Sequence, residues 1–104
     1  LSLAVEVGTK RLELAHIRAY IGLASRLRSR FLRVVIDDGD FQPSVDQVVE
    51  TVREVLPTLR KDQVILAIEN HDRFPVRVLR DIVEQTDPEW VGICLDTANS
   101  FGAG

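Results

Sequence analysis

Apolar residues along this chain follow two rhythms. In four places they run together over a few positions: "LSLAVEV" (1–7), "FLRVVID" (31–37), "QVILAIE" (63–69) and "WVGICLD" (90–96). Each run is rich in β-branched residues and gives way to turn-type residues, which predicts a strand. Between the runs the apolar positions fall at helical spacing. "KRLELAHIRAYIGLASRLR" puts Leu14, Ile17, Ile21, Ala24 and Leu27 or Arg28 on one stripe. "SVDQVVETVREVLPTLR" does so with Val45, Val48, Val49, Val52, Val55 and Leu56. It follows Pro43 and opens on a Ser44-x-x-Gln47 capping box, and Pro57 is expected to end or kink it. "PVRVLRDIVEQT" carries Val76, Leu79, Ile82 and Val83, with Pro75 suited to the first turn and Asp87-Pro88 closing the segment. The predicted order is β-α-β-α-β-α-β, which argues for parallel strands joined by right-handed crossovers.

Alternation within the strands sorts their side chains onto two faces. One face holds Leu3, Val5, Val7, Leu32, Val34, Ile36, Leu66, Ile68, Val91, Ile93 and Leu95, an aliphatic surface suited to lie under helices. The other holds Ser2, Ala4, Arg33, Val35, Ile65, Ala67, Gly92 and Cys94, and its tips read as Glu6, Asp37, Glu69 and Asp96. A doubly wound sheet needs two aliphatic faces, because helices cover both. A barrel interior with carboxylates at its C-terminal mouth fits this pattern better. The expected fold is therefore α/β, a partial (β/α)8 TIM barrel. Residues 1–104 form a single partial domain of about four βα units, roughly half of the eight such a barrel needs.

Composition changes the picture in three ways. The chain is 45% hydrophobic and 28% charged, a globular balance, and no apolar run approaches the roughly 20 residues needed to cross a bilayer. A net charge of −3 with a pI near 5.3 offers no global attraction to nucleic acid. A single cysteine, Cys94, excludes an internal disulfide and fits a reducing, cytoplasmic setting. The chain lacks methionine and opens inside an apolar stretch, so it reads as a fragment. A half-barrel leaves strand edges unpaired, so a second copy (a homo-oligomer) or the missing half on a parent chain is expected to complete it.

The stretch "LAIENH", followed one unit later by "VGICLDTANSFGAG", resembles the xylose-isomerase-like TIM barrels, a superfamily of sugar and sugar-phosphate isomerases and epimerases and of AP-endonuclease-type zinc enzymes. "LRVVIDDGD" after "AYIGLASRLRS" is similar to the preceding unit of those proteins. The resemblance implies a divalent metal (Mn, Mg, Co or Zn) held by Glu, Asp, His and Glu from successive strands. By position Glu69 matches the first ligand and Asp96 the second; the other two would lie beyond Gly104. It also implies that Glu69 doubles as the catalytic base, with a small sugar or sugar phosphate as substrate. The endonuclease relatives continue as Asp-x-x-His, and here that position is Asn99. An amide does not replace imidazole as a zinc ligand, which argues against phosphodiester cleavage.

Taken without the resemblance, Glu69 and Asp96 are equally well strand-end loop acids or helix caps. His71, two residues past Glu69, is a candidate to bond a substrate hydroxyl or orient Glu69, or else a loop residue; Asn99 is a candidate substrate contact or a loop cap. His16, Glu6, Asp37 and Cys94 are expected to be structural or surface residues. Arg33, on the inward face, requires an acidic partner, and Glu6 and Asp37 are the nearest candidates by sequence. "DDGD" (37–40) lacks the ligand spacing of a calcium loop. The expected function is metal-assisted proton transfer beside a carbonyl in a full-length isomerase or epimerase, the fragment itself being inactive. The alternatives are an AP-endonuclease-type phosphodiesterase relative and a non-catalytic metabolite-binding barrel.

Overall fold

The computed structural model describes residues 7–69 and 74–94. Strands β1 (Val7–Lys10), β2 (Phe31–Val35), β3 (Ile65–Glu69) and β4 (Val91–Cys94) alternate with helices α1 (Leu14–Arg26), α2 (Val45–Asp62) and α3 (Val76–Gln85). The strands form one sheet in sequence order, every neighbouring pair parallel. Among the described residues no helix is long and apolar enough to cross a membrane.

The helices lie on one side of the sheet, as the alternation requires. Leu32, Val34, Leu66, Ile68 and Val91 are fully buried there, against Ile17, Ile21 and Ala24 of α1, Val48, Val52, Val55 and Leu59 of α2, and Leu79 and Ile82 of α3. Burying each of the larger aliphatic side chains contributes about 1.5–3 kcal/mol, so this layer is the main cohesive term. Arg33, Val35, Ile65, Ala67 and Glu69, on the opposite face, are only partly buried. That one-sidedness is what a barrel wall shows and a doubly wound sheet does not.

The capping box of α2 forms as its residue types dictate: the Ser44 hydroxyl accepts from the Gln47 amide at 3.2 Å, and the Gln47 side chain accepts from the Ser44 amide at 2.9 Å. Asp46 in the first turn and Arg60 and Lys61 in the last complement the helix dipole. The helix leaves through Gln63, which sits in the left-handed region at φ 56°. In the "DDGD" segment, Asp38 and Phe41 exchange backbone hydrogen bonds at 3.0 and 2.9 Å around Gly39, whose φ is +58°. Those four residues make a tight turn, a shape in which glycine is at ease.

Three sequence expectations need correction. The first strand, expected over 1–7, continues past Val7 to Lys10; its expected residues 1–6 lie outside the described set. Gly8, Thr9 and Lys10 have turn-type character, yet the ladder with Arg33, Val34 and Val35 holds them extended, so pairing overrides local preference. Pro57 does not end α2, which continues to Asp62. Pro57 and Arg53 are both on the solvent side, so the Arg53 carbonyl that loses its i+4 donor can meet water, while Val55, Leu56 and Leu59 stay buried on either side of Pro57. Finally, neither Leu27 nor Arg28 extends the α1 stripe. Leu27 is 45% exposed, and Arg28 turns left-handed at φ 57°, letting the Ser29 amide reach back to the Ala24 carbonyl at 2.8 Å.

Candidate functional site: the open face of the sheet

Parallel pairing places register partners on the same face, so the open side can be read in rows across the strands. One row is Gly8, Arg33, Ala67 and Gly92. The next, nearer the C-terminal ends, pairs Lys10 with Val35 and Glu69 with Cys94. Arg33 therefore stands between two of the smallest residues, Gly8 and Ala67, with the Glu69 row directly above it.

The long Arg33 side chain uses that room to reach Glu69. Its Nε donates to Glu69 Oε1 at 3.0 Å, and Nη2 donates to the same oxygen. Both bonds land on Oε1; Oε2 takes part in neither. Charge-assisted bonds of this type are roughly twice as strong as neutral ones, and here a side chain only 20% exposed accepts them. Glu69 is thus an acidic partner of Arg33 that the sequence did not suggest, and Glu6, one of the two it did suggest, lies outside the described residues. Asp37 is buried, 8% exposed.

An open cavity of about 380 Å³ lies over this face, lined by Gly8, Thr9, Lys10, Arg33, Val35 and Glu69. Larger hollows sit between α2 and α3 beside Arg53 and Pro57, at the N-terminal ends of the strands beside Phe31 and Ile65, and between Glu13 and Phe41 outside the sheet, but Glu69 lines none of them. At the rim, Arg11 follows β1 with φ 79° and stacks its guanidinium 4.6 Å from the centre of the Phe41 ring. It also approaches Glu13 at 3.4 Å and Asp38 at 3.9 Å, so it ties the turn after β2 to the turn after β1. His16 is structural, as expected: it hydrogen-bonds Thr9 on the helical side at 2.7 Å and packs against Tyr20 with ring centres 4.7 Å apart.

A family model for the xylose isomerase-like TIM barrel matches residues 2–104. The chain belongs to that family. It is also similar, at 29% identity over 103 residues, to a 3-oxo-isoapionate decarboxylase of Pectobacterium atrosepticum. That match takes in 99% of this chain and 38% of the relative, so the chain spans well under half of the relative's length. No solved structure matches.

Within a xylose isomerase-like barrel, the C-terminal strand ends are where active sites are built. Glu69 occupies such an end, on the open face, half-enclosed and held by Arg33. His71, Asp96 and Asn99 lie outside the described residues, as does Glu6. Among the described residues no group of three or more His, Cys, Asp or Glu could hold a metal ion. Glu69 fits such an ion in kind, as one hard carboxylate donor of the sort Mn or Mg takes, with Cys94 beside it as a softer neighbour. Sequence reasoning missed Lys10 and Arg11 at the mouth because it ended the first strand too early. It also missed the Arg33–Glu69 pair, although the matching parity of the two residues was the available signal.

Proposed function

We propose that the full barrel performs divalent-metal-assisted proton transfer next to a carbonyl in a small sugar or sugar phosphate, as an isomerase or epimerase. The observation that carries this reading is the Glu69 carboxylate, fixed at the C-terminal end of β3 on the open face with one oxygen engaged by Arg33. Glu69 would take the proton, since a positioned carboxylate within hydrogen-bond reach is a competent general base. Glu69 and Asp96 would hold the metal, with its remaining ligands coming from strands outside this segment. When bound, a divalent ion (Mn, Mg, Co or Zn) supplies Lewis-acid stabilisation of the negative charge that develops on the substrate oxygens. His71 and Asn99 would contact substrate hydroxyls. Completion of the ring, by the rest of a longer chain or by a second copy, would close the site against water.

A second reading is favoured by the likeness to the decarboxylase. Loss of carbon dioxide from a 3-oxo acid leaves an electron pair on the carbon beside a carbonyl, so it develops the same enolate charge as proton removal. The two readings differ in which bond breaks. The test uses the full-length protein with Mn²⁺ in deuterated water. Deuterium wash-in beside the carbonyl of ketose or aldose substrates, without gas release, supports isomerisation, whereas stoichiometric carbon dioxide from a 3-oxo acid supports decarboxylation. In the isomerase case Glu69→Gln should slow the exchange by about 10²–10⁴-fold. Unchanged exchange in that variant removes Glu69 from the chemistry.

A further inference from the structure

We infer that Arg33 is a positioning residue for the site, clamping Oε1 of Glu69 so that Oε2 is the oxygen presented to metal and substrate; this rests on the proposed role of Glu69 as a ligand. The row across the sheet is the first support. Gly8 and Ala67 flank Arg33 on the open face, with Gly92 beyond Ala67; a Cβ added at Gly8 would already touch Arg33 at 3.8–3.9 Å, and one at Gly92 would meet nothing within 4 Å. The wall is hollow where the guanidinium has to rise from its own register position, beside Ala67, to Glu69 two residues further along β3. The bond pattern is the second support. Nε and Nη2 both converge on Oε1, which fixes the carboxylate's rotation and leaves Oε2 out of the clamp.

Stability alone does not call for the pair. The Arg33 side chain is 42% exposed, and ion pairs open to water contribute only about 0–1 kcal/mol, while the nearby positions Val35, Ile65 and Ala67 are already aliphatic. Partners that orient metal-binding side chains, by contrast, commonly matter about 10–100-fold in metal affinity. Two effects of opposite sign meet at Arg33. Its positive charge repels an incoming divalent cation, while its grip pre-organises the ligand. The inference is that the grip dominates.

Mn²⁺ titration calorimetry on the full-length protein separates the two effects and needs no turnover. Arg33→Met removes both charge and grip, whereas Arg33→Lys keeps the charge and loses the two-pronged hold on one oxygen. Both should bind Mn²⁺ more weakly, Arg33→Met by about 10–100-fold. In a Glu69→Gln background, Arg33→Met should add little further loss, because the residue it orients is no longer a ligand. Equal losses in both backgrounds would point to a merely structural role and overturn the inference. So would tighter binding by Arg33→Met together with wild-type binding by Arg33→Lys, since charge would then be all that counts. If Arg33→Met does not fold, Arg33→Lys decides alone, with wild-type affinity overturning the idea. Glu69→Gln guards the premise: if it leaves Mn²⁺ affinity untouched, the ligand reading itself fails and this inference falls with it. If Glu69→Gln abolishes binding but Arg33 variants do not change it, only the positioning role is lost.

Discussion

Asp87 shows how a surface residue organises the wall behind the site. Its carboxylate accepts from Arg60 Nη2 at 2.7 Å and from the Glu89 amide at 3.0 Å, and its carbonyl accepts from the amides of Trp90 and Val91. One residue thus turns the chain from α3 into β4 and ties that turn to the end of α2. The Arg60 hydrogen bond above all, helped by the Glu89 amide, holds the Asp87 carboxyl below its ordinary value of 3.8. A depressed folded-state pKa contributes stability above the unfolded value, and that contribution disappears as pH falls through the folded one. Asp87→Asn should therefore be less stable than wild type at neutral pH, with the gap closing as the pH falls below the ordinary value of 3.8. Urea unfolding across that range checks it, and a carboxyl titration midpoint at or above 3.8 by NMR would contradict the cause. Single residues of this sort are poorly legible in sequence. Parity gave the face on which Arg33 and Glu69 both lie, but choosing the partner needed the register between β2 and β3, which no local pattern encodes.

At the scale of elements, the apolar periodicity identified all three helices and the last three strands, because each buries a face too regular to mistake. It failed at the ends, where pairing and caps decide. The end of the first strand was set too early because Gly8-Thr9-Lys10 has no strand signature of its own and is extended by its neighbour. The exits of α1 and α2 share a trait hidden from propensity: Arg28 and Gln63 are both left-handed, at φ 57° and 56°, where glycine usually sits. A left-handed non-glycine residue costs about 1–2 kcal/mol, and glycine gives back about 0.4–1 kcal/mol through the entropy of the unfolded chain. Gln63→Gly should accordingly raise stability by about 0.5–1 kcal/mol, read as a higher urea midpoint at constant slope. A lower midpoint would mean that the Gln63 side chain has a role its exposed position does not suggest.

Across the whole molecule, the sheet leaves β1 and β4 paired on one side only among the described residues, with a half-exposed face between them. Such edges and faces seek partners. The 104-residue chain prepared by itself should give a light-scattering mass above its 11.7 kDa at high concentration, and a persistent monomer mass there would refute this. The barrel architecture is legible from the order of residues because one-sided burial is a global pattern repeated in every strand. The site is legible only as acids at expected strand ends, since which of them converge depends on register between strands and not on local pattern. Cohesion of the wall rests on its helical side, where Leu66→Ala should lower stability by about 2–5 kcal/mol. The open side holds a different opportunity. Cys94, the one cysteine of the 104 residues, is the register partner of Glu69 and partly accessible. A thiol in that seat is a built-in reporter: its rate of alkylation in the completed protein would rise or fall with whatever fills the mouth, and a fluorophore attached there would watch the site load without any assay of turnover.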